Sequence, residues 1–178
     1  MIFSKSKPDA ESVGGWPQFS TELDLSREWI IQFDTLLNGP TNPIQAQQLF
    51  DWSTAENDSI RYYSGTATYR KEFDFNGLDQ DRYFISLGEV NCLANIYLNG
   101  KEVGGVWTNP WILEISDYLM KGKNRLEIDV TNTWVNRLIG DRSVSESNRM
   151  TWVTENPYHS SDPLMPSGLL GPVELLHR

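Results

Sequence analysis

The stretch "CLANIYLNGKEVG", residues 92–104, decides the fold of this chain. Two runs in which apolar and polar residues alternate lie on either side of the pair Asn99-Gly100. An Asn-Gly pair readily takes the positive φ angles that both central residues of a type I′ hairpin turn need. The stretch therefore predicts two antiparallel β-strands joined by a two-residue turn.

Alternation of the same kind recurs along the rest of the chain. Strands are predicted in "REWIIQF" (27–33), "SGTATYRKEFDF" (64–75), "RYFISLG" (82–88), "WILEIS" (111–116), "RLEIDVTN" (125–132) and "GPVELLH" (171–177). In most of these runs every second residue is apolar, so one face of the strand is expected to be buried. No amphipathic helix of three turns is visible in the sequence. Many short strands separated by turn residues predict an all-β sandwich or barrel.

Two segments are predicted to form short helical turns instead. Residues 44–52, "IQAQQLFDW", contain good helix formers. Residues 117–124, "DYLMKGKN", are expected to make one turn that stops at Gly122. Asp117 is placed to act as the N-cap of that turn, and Leu119 is expected to pack on the sheet.

The two ends of the alternating region suggest how the chain is organised. Residues 1–15 are polar and include a proline and two glycines, so they are predicted to be a flexible tail or linker. Residues 16–178 are predicted to form the β-sandwich domain. Within it, residues 139–171 show no clear period, and a loop of this length in a compact domain is usually functional or partly disordered.

Composition excludes some classes of partner. The formal net charge is −9, which argues against binding to nucleic acid or to anionic membranes, because both attract basic surfaces. Aromatic residues make up 12% of the chain, and aromatic faces both pack cores and stack on sugar rings. Cys92 is the only cysteine in the sequence, so an intrachain disulfide is impossible.

Several phrases carry a resemblance to a known family. "SGTATYRKEF" (64–73), "LNGK" (98–101), "NRLIGD" (136–141) and "SGLLGPV" (167–173) resemble the sugar-binding-type β-sandwich of large glycoside hydrolases. The general pattern is similar to the jelly-roll domain of the β-galactosidase and β-glucuronidase superfamily. The more specific phrases resemble the C-terminal domain of family 106 α-L-rhamnosidases. The resemblance implies a jelly-roll β-sandwich of the galactose-binding-domain type, with two antiparallel sheets packed face to face.

The resemblance also implies that this chain is not an enzyme by itself. In the resembled families the catalytic carboxylates belong to a separate barrel domain, and no alternation of strands with long helices appears here. No catalytic motif is present, so no catalytic residue is predicted. The expected partner is the catalytic barrel domain of the same parent polypeptide, with carbohydrate as a further partner. Such a parent would be a bacterial periplasmic or secreted protein, whereas a complete chain without a visible signal peptide would be cytoplasmic.

No cofactor is predicted for the chain. A structural Ca²⁺ ion would need carboxylate ligands, and Asp79, Asp81 and Glu89 are the acidic candidates. Their spacing matches no calcium loop, so a solvated acidic surface is the favoured interpretation.

Two clusters are candidates for contact with carbohydrate. The first lies in "TNTWVNRLIGD" (131–141), where Trp134, Asn136, Arg137 and Asp141 could bond or stack with a sugar. In the resembled families the matching loop reaches toward the barrel with a Trp followed closely by an Asp; here Asn136 stands where that Asp would be. The favoured alternative is that Asn136, Arg137 and Asp141 bond backbone groups of the long loop and fasten it to the fold.

The second cluster lies in "GGVWTNPW" (104–111). A flat Trp face beside a polar amide suits a sugar ring, which makes Trp107 and Asn109 candidates. Trp111 starts a predicted strand and is expected to belong to the core.

Three functions are consistent with the sequence. The chain is expected to be a non-catalytic β-sandwich accessory domain of a larger, α-L-rhamnosidase-like glycoside hydrolase. The alternatives are an autonomous carbohydrate-binding module and a purely structural or protein-interaction domain.

Overall fold

Residues 18–77 and 82–178 are described by a computed structural model, and within these ranges it contains twelve β-strands and two short α-helices. The strands are β1 (Ser20–Asp24), β2 (Arg27–Phe33), β3 (Ile44–Gln48), β4 (Thr66–Phe75), β5 (Tyr83–Ser86), β6 (Glu89–Asn91), β7 (Leu93–Leu98), β8 (Lys101–Val106), β9 (Ile112–Glu114), β10 (Gly122–Thr131), β11 (Gly168–Gly171) and β12 (Glu174–His177). The helices are α1 (Asp58–Arg61) and α2 (Val135–Gly140).

The strands form two main antiparallel sheets. One sheet has six strands in the order β3-β2-β4-β10-β7-β8, and the other has four in the order β1-β12-β5-β9. The short strands β11 and β6 pair separately. The predicted all-β sandwich is confirmed, with its core between the two main sheets.

The hairpin predicted around Asn99-Gly100 is present. Strands β7 and β8 pair in antiparallel register, and their turn residues Asn99 and Gly100 have φ angles of 55° and 77°. The Asn99 side chain also ties the turn to neighbouring segments, because its Nδ2 donates to the Tyr118 carbonyl and its Oδ1 accepts from the Arg125 amide. The Asn-Gly pair therefore sets both the turn and its attachment to β10.

The core follows the alternation in the sequence. Trp29, Ile31 and Phe33 on β2 are buried, and so are the inward residues of β4, β5, β7 and β10. Burying each large apolar side chain contributes roughly 1.5–3 kcal/mol relative to leaving it exposed. Among these buried groups the Tyr69 hydroxyl accepts hydrogen bonds from Trp52 Nε1 at 2.8 Å and from the Leu169 amide at 3.2 Å. This hydroxyl links β4 to the segments before α1 and at β11.

The predicted helical turn at residues 44–52 is wrong. Ile44–Gln48 is strand β3, which pairs with β2 and places Ala46 in the core. Helix-forming residues take the strand conformation here because β2 offers a free edge with unpaired backbone groups, and such pairing overrides weak local propensity. A 3-10 turn follows later, at Trp52–Thr54.

The predicted turn at residues 117–124 is shorter and earlier than expected. It is a 3-10 turn over Ser116–Tyr118, with Ile115 at the N-cap and no capping side chain. Asp117 therefore lies inside the turn, and its predicted role as N-cap is wrong. Leu119 is buried, as expected.

Some predictions concern residues outside the described ranges. The predicted tail at residues 1–15 lies there, and so do the calcium candidates Asp79 and Asp81. The domain boundary at residue 16 stays a prediction.

Candidate functional site

The candidate site begins at the end of β10. In the six-stranded sheet Val130 pairs with Ala67 on β4 and with Ala94 on β7. These three strands therefore lie side by side at the end of the sheet near Thr131. The chain then turns into α2, where the Leu138 amide bonds the Trp134 carbonyl at 3.0 Å. Helix α2 and the segment that follows it cover this end of the sandwich.

Asn136 on α2 faces inward and fastens the far end of the long loop. Its side chain is almost completely buried, with 1% of its surface exposed. Nδ2 donates to the Met165 carbonyl at 2.7 Å, and Oδ1 accepts from the Met165 amide at 2.7 Å. Nδ2 also donates to Ser167 Oγ at 3.0 Å. The side chain thus satisfies both backbone groups of one loop residue.

A neighbouring set of polar side chains extends this attachment. Asn132 accepts from the Gly65 amide at 2.9 Å and donates to the Tyr63 carbonyl at 2.9 Å. Its Nδ2 also reaches Ser167 Oγ at 3.2 Å, and the Ser167 amide donates to Asp51 at 2.9 Å. Asn132, Ser167 and Asp51 were not predicted from the sequence. An asparagine directly after a strand was the available signal, since Asn side chains commonly bond nearby backbone.

Asp141 fastens the near end of the loop. It is buried, and its Oδ2 accepts from the Thr151 amide at 2.9 Å and from the Thr151 hydroxyl at 2.5 Å. Its Oδ1 accepts from the Met150 amide at 3.3 Å. Asn136 and Asp141 therefore make the backbone contacts that the fastener interpretation expects.

Arg137 behaves differently from its two neighbours. It is 7% exposed, yet in the described part of the chain its guanidinium forms no hydrogen bond, and Nη2 is fully buried without a partner. The expected bond from its side chain to the loop backbone is absent. Burial lowers the pKa of Arg137, and the nearby Asp141 carboxylate opposes that shift. Arg137 lines a cavity of about 270 Å³ together with Tyr62, Gly140, Asp141 and Asn148.

A second concave region lies on the outer side of α2 and is mainly apolar. We call it the apolar hollow; it measures about 360 Å³ and is lined by Trp134, Leu138, Met150, Thr151, Trp152 and Val153. Trp152 is 88% exposed and Trp134 is 48% exposed. Large apolar side chains are thus held at the surface directly beside the fastened end of the loop.

Trp107 and Asn109 lie in the connection between β8 and β9. Val106 pairs with Ala94, so this connection emerges at the same end of the sheet as α2. Trp107 is 73% exposed, Asn109 is exposed, and Trp111 packs partly buried against the core. Neither the cavity at Arg137 nor the apolar hollow is lined by Trp107 or Asn109.

The structure therefore divides the six candidate residues into groups. Asn136 and Asp141 are turned into the fold, Arg137 lines a cavity, and Trp107, Asn109 and Trp134 face outward. Contact with carbohydrate stays a prediction for all six.

The described residues also bear on metal binding and on membrane association. Glu89 is exposed on β6, and in residues 18–77 and 82–178 no three His, Cys, Asp or Glu side chains are grouped to hold a metal ion. In the same ranges no helix has the length and apolar character needed to cross a bilayer.

Comparison with known proteins gives consistent matches over most of the chain. Residues 44–161 match the family described as glycosyl hydrolase 2 galactose-binding domain-like. A Formosa agariphila protein named "Putative beta-glucuronidase" is 34% identical over 177 residues, which cover 85% of this chain and 15% of that protein. This chain therefore spans only about 15% of the curated relative.

Solved structures agree with these sequence matches. The rhamnosidase from Novosphingobium sp. PP1Y superposes with a TM-score of 0.85 at 34% identity, covering 92% of this chain and 16% of that one. A β-glucuronidase from an uncultured Clostridium sp. superposes with a TM-score of 0.52 at 23% identity, over 65% of this chain and 22% of that one. The second match shows the shared fold alone. Together they confirm the resemblance to sugar-binding-type β-sandwich domains of large glycoside hydrolases.

Proposed function

The chain belongs to the galactose-binding domain-like family of glycosyl hydrolase 2, and from that membership we propose that it works as a non-catalytic accessory domain of a larger, rhamnosidase-like glycoside hydrolase. Its partner is the catalytic domain of the same parent polypeptide. The apolar hollow is the surface through which the two domains pack.

The observation that carries this proposal is the exposure of the apolar hollow. Trp134, Met150, Trp152 and Val153 each leave more than two fifths of their surface exposed. Contiguous apolar surface of this kind commonly marks a protein interface. The small share of each relative that the chain covers, 15% and 16%, supports a neighbouring domain as the occupant.

Rigidity of the hollow supports the same role. Asp141 holds the amides of Met150 and Thr151, which come directly before Trp152. The Asn156 side chain donates to the Leu138 carbonyl at 2.8 Å, and Arg142 bonds the carbonyls of Asn156 and Tyr158. A surface held in place before docking loses less conformational entropy when it binds.

Catalysis is assigned to the parent and not to this chain. Hydrolysis of a glycosidic bond generally needs two carboxyl groups facing each other across the bond. The cavity at Arg137 includes Asp58 and Asp141, but Asp58 pairs with Arg61 and both Asp141 oxygens accept bonds from the loop. Because Asp141 is engaged by the loop, the cavity lacks the two free carboxylates that acid–base work on a glycosidic bond needs. In this role the chain contacts sugar only at the domain border, through Trp107 and Asn109, whereas Trp134 packs against the catalytic domain.

Substitutions in the apolar hollow test the proposal. Trp152→Ser combined with Val153→Ser removes exposed apolar surface, so we expect the melting temperature of the 178-residue chain to change by less than about 2 °C. In the whole parent polypeptide the same pair should separate one unfolding transition into two in calorimetry. Met120→Ser, at an exposed apolar residue outside the hollow, is the control. Unchanged unfolding of the parent would refute the proposal.

A second candidate function is an autonomous carbohydrate-binding module. It is favoured by the exposure of Trp107 beside Asn109, since an exposed aromatic face next to an amide suits a sugar ring. Under this alternative the isolated chain binds oligosaccharides in calorimetric titration. Trp107→Ala then abolishes the binding, whereas Trp152→Ser leaves it intact.

A further inference from the structure

The apolar hollow is smaller than the surface that two domains usually bury against each other. Six residues line it, whereas a stable interface commonly engages about 20–30 residues on each side. A docking surface that includes the hollow must therefore extend beyond it, and the other exposed apolar side chains indicate the direction.

Exposed apolar side chains are concentrated at one end of the sandwich. In residues 18–77 and 82–178 eleven large apolar side chains are exposed, and only Ile30 and Met120 lie elsewhere. The other nine lie beyond the row in which Ala67, Val130 and Ala94 pair, at Leu93 and in the segments 34–43, 107–111 and 132–167. We call this end of the sandwich, where α2 lies, the α2 end.

Leu36 is the most exposed aliphatic side chain of this set, with 86% of its surface exposed. It lies on a 3-10 turn, Thr35–Leu37, that follows β2. Asp34 holds the turn, because its Oδ1 accepts from the Leu36 amide at 2.9 Å and its carbonyl accepts from the Gly39 amide at 3.1 Å. The leucine is thus presented on a fixed turn, and a group already fixed loses less entropy when it is buried in an interface.

The cavity at Arg137 connects this turn to the apolar hollow. Asn38, the C-cap residue of the turn, lines the cavity together with Val144. Met150 lines both the cavity and the hollow. Val144 and Met150 are 41% and 43% exposed. The exposed apolar side chains therefore follow one surface from Leu36 to Trp152.

The outer face of the six-stranded sheet has a different character. Arg70 and Glu127 form an ion pair there at 2.6 Å, and Lys123 lies 3.9 Å from Glu72. Ile30 pairs with Arg70 and lies among these charges. Charged side chains are depleted in the cores of protein interfaces, so we expect this face to stay open to solvent.

We infer that the catalytic domain covers the whole α2 end, from Leu36 across the cavity at Arg137 to the apolar hollow. The inference rests on the proposed function, because it takes the same partner, and it adds Leu36 and Val144 to the docking surface. The chain spans 15% and 16% of the Formosa agariphila protein and the Novosphingobium rhamnosidase, so a parent of similar length holds a partner large enough to cover this end.

Hydroxyl-radical footprinting of aliphatic side chains tests the extended surface in the isolated chain and in the whole parent polypeptide. Leu36 and Val144 are the residues to follow, and Ile30 is the matched control, since it is an exposed aliphatic residue on the sheet face. We expect oxidation of Leu36 and Val144 to fall at least fivefold in the parent, whereas oxidation of Ile30 changes by less than twofold.

A charged substitution gives a second readout. Leu36→Lys places a charge where the partner is expected to pack, and burying an unpaired charge is unfavourable. It should therefore lower the melting temperature of the parent by at least about 3 °C, but that of the isolated chain by less than about 2 °C. Met120→Lys, at the opposite end of the sandwich, should change neither.

The outcomes separate this inference from the proposed function. Protection of Trp152 in the parent without protection of Leu36 and Val144 would overturn the extended surface and leave the proposed function intact. Absence of protection at all three would overturn both. Protection of Ile30 equal to that of Leu36 would show cover that is not confined to the α2 end. Oxidation of Leu36 that falls as the concentration of the isolated chain rises would identify a second copy of the chain as the occupant, which also contradicts the inference.

Discussion

Two side chains separated by little more than one helical turn hold opposite ends of the same loop. Asn136 bonds both backbone groups of Met165, while Asp141 accepts from Met150 and Thr151. Arg137 lies between them in sequence but makes no such bond. Asn136 and Asp141 therefore stabilise the fold, whereas Arg137 lines a cavity.

Asn136→Ala should lower the stability of the chain. The Met165 amide loses its acceptor, and an unsatisfied, partly buried donor costs about 1–3 kcal/mol. For a domain of this size that corresponds to a fall in melting temperature of roughly 3–10 °C. Scanning calorimetry measures the shift, with the exposed Asn76→Ala as the matched control. Equal melting of the two variants would contradict the assigned role.

The sequence identified these residues but favoured Arg137 and Asp141 over Asn136 as the side chains that stabilise the loop. It predicted Asn136, Arg137 and Asp141 to bond the loop together, and only the resemblance implied that Asn136 stands where a substrate-reaching residue would be. The structure shows the largest set of loop contacts at Asn136 and Asp141, and none from the Arg137 side chain. Local spacing places side chains on a helix but does not reveal which distant backbone they meet, because Met165 is 29 residues from Asn136.

At the scale of elements, α2 and the long loop behave as one unit. The helix has only six residues and no capping side chain at Trp134, so packing and loop contacts stabilise it more than its own hydrogen bonds do. The loop in turn lacks regular strands between α2 and β11. Each depends on the other for satisfied backbone groups.

Asp141→Ala should loosen the loop near Trp152 without unfolding the sandwich. Two amides, those of Met150 and Thr151, lose their acceptors. Hydrogen–deuterium exchange should therefore accelerate at residues 149–153 while β10 and β4 keep their protection. Asp162→Ala provides the control, because Asp162 accepts one amide bond, from His159, in the same loop. Acceleration of equal size at 149–153 in both variants would argue against a specific role of Asp141.

Elements in which apolar and polar residues alternate strongly could be predicted from the sequence. Elements whose conformation depends on pairing with a neighbouring strand could not. Trp29, Ile31 and Phe33 alternate, and β2 appears where they do. Ile44–Gln48 alternates only at Ile44 and Ala46, within a run of good helix formers, and its strand conformation comes from pairing with the edge of β2. The same limit applies to the apolar hollow: Trp134 and Trp152 are 18 residues apart in the sequence, and only the fastened loop brings them together.

At the scale of the whole molecule, the chain is expected to hydrolyse no glycoside. The prediction rests on the proposed division of labour with a catalytic domain and on the Asp141 carboxylate, whose two oxygens are both occupied by the loop. Nitrophenyl rhamnosides, galactosides and glucuronides should release no chromophore when incubated with the purified chain. Turnover that follows the purified chain and disappears on Asp141→Asn would overturn this expectation.

Oxidative footprinting of Trp and Met side chains tests the central claim most directly, since it measures their exposure in the isolated chain and in the whole parent polypeptide. Trp134, Met150 and Trp152 are exposed in the chain, and Met120 is exposed on a segment outside the hollow. If the apolar hollow packs against the catalytic domain, oxidation of these three residues should fall at least fivefold in the parent while Met120 is unchanged. Equal oxidation of Trp134, Met150 and Trp152 in both proteins would contradict the account.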